Sequence, residues 1–255
     1  MTTLLTTLQA ATLTISLNRP ERANAFNFEM IAALQCALEK AAEESQIRCV
    51  VLTGAGNSFC AGHDLAEMLA AQGQEVSYRE HLQQTYNPLI LQLRQLEKPV
   101  IAALNGPVAG AGLGVALACD MRVAAETALF TVGFSGIGLV PDSAVSLLLP
   151  ALIGLGRATE FTFTNQPITT SQALEWGMVN QVVPENKLID AAGKLAASLA
   201  AGPVGAYGLT KRLFNKSMLP NLEEVLEFEG ELQEIASKGE EHYQGVKAFL
   251  EKRQK

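Results

Sequence analysis

The chain has 255 residues, 48% of them hydrophobic and 18% charged, with a formal net charge of −7 at neutral pH. A chain of that length buries roughly three-quarters of its unfolded surface, so its core needs no disulfide or metal staple. The acidic balance without a long basic cluster argues against a general nucleic-acid binder, no stretch approaches the ~20 apolar residues of a membrane span, and the N-terminus lacks the pattern of a secretion signal.

In chain order, Leu13, Ile15 and Leu17 alternate with Thr12, Thr14 and Ser16, the period of a half-buried strand. Asn18 to Arg22 is a polar break. From Asn27 a helix is expected, with Met30, Leu34, Leu38 and Ala41 on one face. Arg48–Thr53 reads as a buried strand, stopped at Gly54-Ala55-Gly56-Asn57. Phe59 to Leu65 reads as a strand, a glycine turn and a helix start. Residues 72–77 form a polar loop. Leu82, Tyr86, Leu89, Leu93 and Leu96 then repeat at helical spacing, with Pro88 marking a kink or a break between two helices.

The most informative stretch is Pro99–Asp120. A strand-length apolar run, Val100–Leu104, meets the turn pair Asn105-Gly106. Gly110, Ala111, Gly112 and Gly114 then lead into a helix. Small residues let another group approach the backbone, and the first N–H groups of a helix have no internal partner, so this is the pattern of a site for negative charge. It is not a dinucleotide fingerprint, because Val115 stands where a glycine or alanine is required. Strand, glycine turn and helix occur twice, at Val50–Leu65 and Val100–Cys119, a weak internal repeat of the kind stacked units give.

Further on, Met121–Ala124 and Ala128–Val132 are short strands, 133–142 is a glycine-rich loop and Ser143–Leu149 a helix. Thr169 to Gln172 offers a capping-box start, and Val179–Val183 a strand. After Asn186 all is helical, including a stripe of Leu188, Ala192, Leu195 and Leu199 and a helix opening at Pro220-Asn221. The domain division expected is a mixed core over 1–195 and a helical region over 196–255.

Among chemistry-bearing residues, Cys36, Cys49, Cys60 and Cys119 form no C-x-x-C pair and read as reduced thiols of a cytoplasmic protein. His81 and His242, in polar helical segments, are expected at the surface. Asp142 precedes an apolar helix, a place suited to an N-cap.

Together, Phe59-Cys60-Ala61-Gly62-His63-Asp64-Leu65 and Asn105-Gly106 through Gly110-Ala111-Gly112 to Cys119-Asp120 resemble the two signature regions of the crotonase (enoyl-CoA hydratase/isomerase) superfamily. Leu17-Asn18-Arg19-Pro20, Ala25-Phe26-Asn27, Gly138-Leu139-Val140-Pro141, Glu175 to Val179 and Gly245 to Arg253 extend the resemblance over nearly the whole chain. It implies an α/β fold, a ClpP/crotonase-like spiral of ββα units, with a C-terminal helical region that makes a homotrimer or a dimer of trimers. It implies an acyl-CoA thioester substrate, with no cofactor beyond that coenzyme A, and neither nucleic acid nor membrane as partner.

The resemblance also implies roles. The thioester oxygen is held by two backbone N–H groups, here those of His63 and Ala111. Around them Ala61, Gly62, Asp64, Leu65 and Gly110 are expected to line the substrate, with Phe134, Ile137 and Leu139, apolar neighbours expected to raise the pKa of Asp142. Arg22 and Ala23 lie toward the pantetheine and ribose phosphate, and Phe249 and Lys252 toward the adenine pocket of a neighbouring subunit; a plain exposed-charge reading stands beside both pairs. Members that hydrate enoyl-CoA use two glutamates, at positions matched here by Gly114 and Phe134. Neither can move a proton. Isomerases of the superfamily often keep one acid, in one branch just after the Leu-Val/Ile-Pro segment, which here is Asp142. The expectation is therefore an isomerase that shifts a double bond or opens a ring epoxide, in the branch acting in phenylacetate breakdown or that of the Δ3,Δ2-enoyl-CoA isomerases. A single-carboxylate hydratase, nucleophilic attack by Asp142 as in dehalogenating relatives, and a silent acyl-CoA-binding protein are the alternatives.

Overall fold

The alternation at 12–17 folds as strand β2 (Thr12–Leu17), which turns back on β1 (Leu4–Gln9) as an antiparallel hairpin. β1 carries no alternating pattern, and after Leu4 it is exposed along its length. Its turn, Ala10-Ala11, takes φ 46° and 63° without the Asn or Gly that usually signals such a turn, so nothing in the sequence announced the hairpin. This is a computed structural model, and it describes residues 2–70 and 77–253.

From β2 the main sheet runs parallel through β3 (Cys49–Gly54), β4 (Val100–Leu104), β6 (Met121–Ala125) and β9 (Gln181–Val183). A smaller sheet holds β5 (Val108–Ala109), β7 (Leu129–Thr131) and β8 (Ile168–Thr169). The expected repeat is visible as three turns lying side by side. Cys60 bridges Val108 in parallel, Ala109 N donates to Cys60 O at 2.9 Å, and Gly110 N donates to Val132 O at 3.2 Å. The 59–65 segment forms single bridges instead of the expected strand.

α1 (Phe28–Glu43) is capped by Asn27, whose side chain accepts from Met30 N at 2.9 Å. After α2 (Leu65–Ala70), the leucine repeat divides at Thr85 into α3 (Tyr78–Gln84) and α4 (Tyr86–Gln95). Pro88 sits in the first turn of α4, where its missing N–H breaks no helical bond. Of the polar loop expected at 72–77, only Ser77 is among the described residues; it caps α3.

α5 (Ala111–Ala118) has all eight residues buried, as its unbroken apolar composition requires. Arg122, 5% exposed, satisfies its C-terminal end by donating to the carbonyls of Ala116, Leu117 and Cys119, and to that of Met178. α6 (Val145–Ile153) runs on past Pro150, and α7 (Leu155–Thr164), with Leu155 74% and Phe163 78% exposed, lacks an apolar stripe that would have predicted it. α8 (Thr170–Glu175) starts with the predicted capping box of Thr169 and Gln172.

α9 (Leu188–Ala201) covers the back of the main sheet through Leu188, Ala192, Ala196 and Ala200, packed on Cys49, Val51, Ile101, Ala103, Val123 and Ala125. The expected stripe is corrected here. Alanines face the strands, and Leu195 and Leu199 flank the contact, because a small face lets the helix sit close. The boundary expected at 195 falls inside α9, whose contact with the sheet continues across it. Beyond lie α10 (Val204–Met218), α11 (Leu222–Ser237) and α12 (Glu240–Arg253). Pro220-Asn221 precedes α11, without a side-chain cap. α11 packs on α3, α4 and α6, so the C-terminal helices belong partly to the core. No helix among the described residues is long and apolar enough to cross a membrane.

Replacing Arg122 by Met strands several buried carbonyls. A loss of about 2–4 kcal/mol is expected, read as a lower urea midpoint with an unchanged slope.

Candidate active site

The site forms where α5 begins. Ala111 is its first residue, and neither the Ala111 nor the His63 N–H donates to a protein acceptor among the described residues, although their neighbours do: Asp64 N to Phe26 O at 2.8 Å, Ala109 N to Cys60 O, Gly110 N to Val132 O. The two turns touch. A Cβ on Gly62 would lie 3.6 Å from Ala111 N and 3.5 Å from the Gly110 Cα. Gly62 and Gly110 take φ +95° and +54°, which side chains disfavour. The result is two free amides side by side at the positive end of a buried helix, a geometry suited to oxygen that gains negative charge.

The first turn is held by a buried polar frame. Asn24 accepts from Arg19 N at 2.9 Å and donates to Ala55 O and Ser58 O at 2.8 and 2.7 Å. Ala61 N donates to Ala23 O at 3.0 Å, bringing Ala23 to the turn; Arg22 beside it is exposed. Asp64 departs from its expected role. Its Oδ2 accepts from Arg19 at 2.8 Å and its Oδ1 from Ala66 N at 3.2 Å, and it is 4% exposed. Burial alone would raise its carboxyl, but Arg19 outweighs burial and holds it below the usual carboxylate range. Asp64 therefore starts α2, and its side chain pairs with Arg19. Leu65 is half-buried at the first position of α2.

His63 places its ring between Phe28, His81 and Tyr86, with Nδ1 2.8 Å from the Tyr86 hydroxyl. Burial pushes His63 down to about 3 and His81 down to about 4, so both rings are neutral near pH 7. His81 and His242 were expected at the surface and are 7% and 8% exposed. His81 packs on aromatic rings; His242 Nδ1 lies 2.8 Å from Ile137 O and Nε2 2.9 Å from the Tyr78 hydroxyl, because α12 folds back on residues 135–137 of its own chain. That helix carries Phe249 and Lys252. Cys60 is buried, and burial raises its thiol to about 12, which suits packing rather than attack.

Asp142 is 8% exposed. It is not the helix cap, because α6 starts three residues later. Its Oδ1 accepts from Ser143 Oγ at 2.7 Å and its Oδ2 from Gln233 Nε2 at 2.6 Å. Burial pushes its carboxyl up to about 6 against the lowering effect of those two bonds. Its charge is felt by Tyr78 and Tyr86, and the adjoining Ser143 packs on α5. A Cβ on Gly114 would lie 2.5 Å from Ser143 O and 2.6 Å from Ser143 Cβ. Asp142 is thus tied to the helix that begins with Ala111. Phe134 and Leu139 are buried in the main core, joined by a bond from Leu139 N to Phe134 O at 3.0 Å, and Ile137 is half-buried.

Glu229 and Gln233 were not foreseen. Glu229 is 4% and Gln233 0% exposed. Glu229 accepts from Ala144 N at 2.9 Å, from Ser146 N at 3.1 Å and from the Ser146 hydroxyl. Burial raises it to about 7 against those bonds. The available signal was position: both continue the buried face of Leu222, Leu226 and Gly230, where a polar side chain needs a partner.

Stacked parallel turns and a buried glycine-rich helix with an open start, with a buried carboxylate on the loop packed against it, define the class of fold. The comparisons agree on the class. The sequence matches the Enoyl-CoA hydratase/isomerase family over residues 7–255. It is 40% identical over 251 residues to the 1,2-epoxyphenylacetyl-CoA isomerase of Escherichia coli (strain K12), covering 98% of this chain and 96% of that one. It is 32% identical over 243 residues to the short-chain-enoyl-CoA hydratase of Clostridium acetobutylicum, covering 94% and 91%. A solved enoyl-CoA hydratase/isomerase from Pseudoalteromonas atlantica T6c superposes with a TM-score of 0.88 at 31% identity, over 98% of this chain and 97% of that one. The chain belongs to the enoyl-CoA hydratase/isomerase family and has the crotonase fold; it is an acyl-CoA-processing enzyme of that family.

Gly114→Ala is expected to cost about 1–3 kcal/mol by pushing α5 off Ser143. Gly114→Glu should lower the melting temperature further without raising hydration of crotonyl-CoA.

Proposed function

We propose that the enzyme is an acyl-CoA isomerase with one acid–base group, Asp142. The observation that carries this is a buried carboxylate raised to about 6 on the loop packed against α5, with Gly114 and Phe134, neither able to move a proton, at the two positions where the resemblance to hydrating members implies glutamates. The substrate is a 3-enoyl- or ring-epoxide-CoA thioester laid across the turns at 61–63 and 109–111. For a 3-enoyl chain, Asp142 takes a proton from C2 and the C–H electron pair forms a dienolate, whose oxygen receives hydrogen bonds from His63 N–H and Ala111 N–H. The same carboxyl returns the proton to C4, leaving the double bond between C2 and C3. One base is enough, and it ends as it began. A single preset donor of this kind is typically worth about 10²–10³ in rate. Water addition would need a second group to position and activate water. Glu229 does not fill that need, because both its oxygens accept bonds from α6.

The reading calls for no cofactor beyond the coenzyme A of the substrate. By family position Arg22 and Ala23 lie toward the pantetheine and ribose phosphate in this reading, which the bond from Ala61 N to Ala23 O at 3.0 Å supports by holding Ala23 at the first turn. Four unpaired cysteines agree with a cytoplasmic setting. A homotrimer, alone or doubled, is supported by apolar side chains exposed on α10 and α11: Leu213 at 68%, Phe214 at 61%, Met218 at 65% and Ile235 at 70%. Light scattering should give three or six chains, and Leu213→Glu with Phe214→Glu should dissociate them; a monomeric parent protein overturns the assembly.

The decisive test is a product screen with 3-enoyl-, 2-enoyl- and ring-epoxide-CoA thioesters. Asp142→Asn should abolish isomerisation and leave thioester binding within ~3-fold, as expected for a group acting only in the transition state. Retained turnover in that variant removes Asp142 as the base. Conversion of crotonyl-CoA to the 3-hydroxy product would make the enzyme a single-carboxylate hydratase, and tight binding without turnover a binding protein. The base must be ionised, so kcat/KM should rise with pH through about 6 and lie about tenfold below its plateau one pH unit lower.

A further inference from the structure

Asp142 is followed by a backbone that its own sequence disfavours. Ser143 and Ala144 are consecutive non-glycine residues in the left-handed region, at φ 55° and 62°. Such a pair persists only where its surroundings hold it. The hold comes from α11. Glu229 accepts from Ala144 N, Ser146 N and the Ser146 hydroxyl, and one turn further on Gln233 donates to Asp142 Oδ2. The amides of Ala144 and Ser146 flank the first residue of α6, where a helix cannot satisfy its own donors. A buried carboxylate from another helix thus does the work of a cap, at the end of α6 whose dipole favours negative charge.

We infer that Glu229 is a positioning residue for Asp142, acting through the kink at 143–144 and never touching the substrate. The inference rests on the reading of Asp142 as the base, and its test separates the two. Glu229→Gln keeps the size and one acceptor oxygen but turns an NH2 toward an amide. The readout independent of turnover is the carboxyl carbon of Asp142, followed by ¹³C NMR in aspartate-labelled protein and assigned by its loss in Asp142→Asn. In Glu229→Gln its midpoint should fall from about 6 by ~0.5–1 unit, because the loosened kink admits water and relieves the burial that raises it. On the isomerised substrate kcat should drop ~10–100-fold with KM changed less than ~3-fold, and Glu229→Ala should drop further. In an Asp142→Asn background Glu229→Gln should add no further loss.

Ser146→Ala removes only the hydroxyl donor to Glu229 and should shift the midpoint less, in the same direction; it decides the matter if the Glu229 variants do not fold. A folded Glu229→Gln with midpoint and kcat unchanged, even if its melting temperature falls, overturns the inference, since a purely structural role would look like that. If Asp142→Asn keeps its turnover, the base assignment fails, and the midpoint alone still tells whether Glu229 holds the carboxylate.

Discussion

The architecture depends on how closely α5 is seated. This helix is apolar on every side and touches the chain in front of it and the chain behind it. On one side a Cβ at 112 would come within 2.7 Å of Cys60 Cβ and 2.8 Å of Cys60 O; on the other, position 114 meets Ser143. Two glycines two residues apart therefore set two contacts at once. The first brings the turn with His63 to the start of the helix. The second brings the residue after Asp142 to its middle. With its far end closed by Arg122, α5 leaves N–H groups unmatched at its start, that of Ala111 among them, where the neighbouring turn also leaves an amide free among the described residues.

Around that opening, burial sets the charge state of every titratable group. The imidazoles of His63 and His81 are driven neutral, and the carboxyls of Asp142 and Glu229 are driven toward their neutral forms. Asp64 is the exception, because Arg19 stands against it. The free amides thus stand among buried groups, and a dipole in such surroundings acts more strongly than it would in water. The same burial leaves the side chains with obvious chemistry in the first turn, His63 and Cys60, as packing groups.

Much of this was legible in the sequence wherever local pattern and burial agree. The strand at 12–17, the helix after Asn27, the capping box at Thr169 and the glycine turns all have short-range causes, and all are found. The failures have physical causes too. β1 is an exposed edge joined by an Ala-Ala turn, so neither period nor turn chemistry marks it. His81 and His242 sit among polar neighbours in sequence, and only tertiary packing buries them. Asp64 has the position of a ligand-facing residue, but an arginine 45 positions earlier claims it. Glu229 lies 83 and 85 residues from the amides it holds, and no local rule connects them. The boundary at 195 rested on the change from mixed elements to helices alone, whereas α9 crosses it and Leu222 and Leu226 of α11 join the main core.

The contact between Gly114 and Ser143 also limits what α5 can carry. A side chain at 114 and the kink at 143–144 claim the same volume, so any larger residue there obliges the loop after Asp142 to move, and the carboxylate with it.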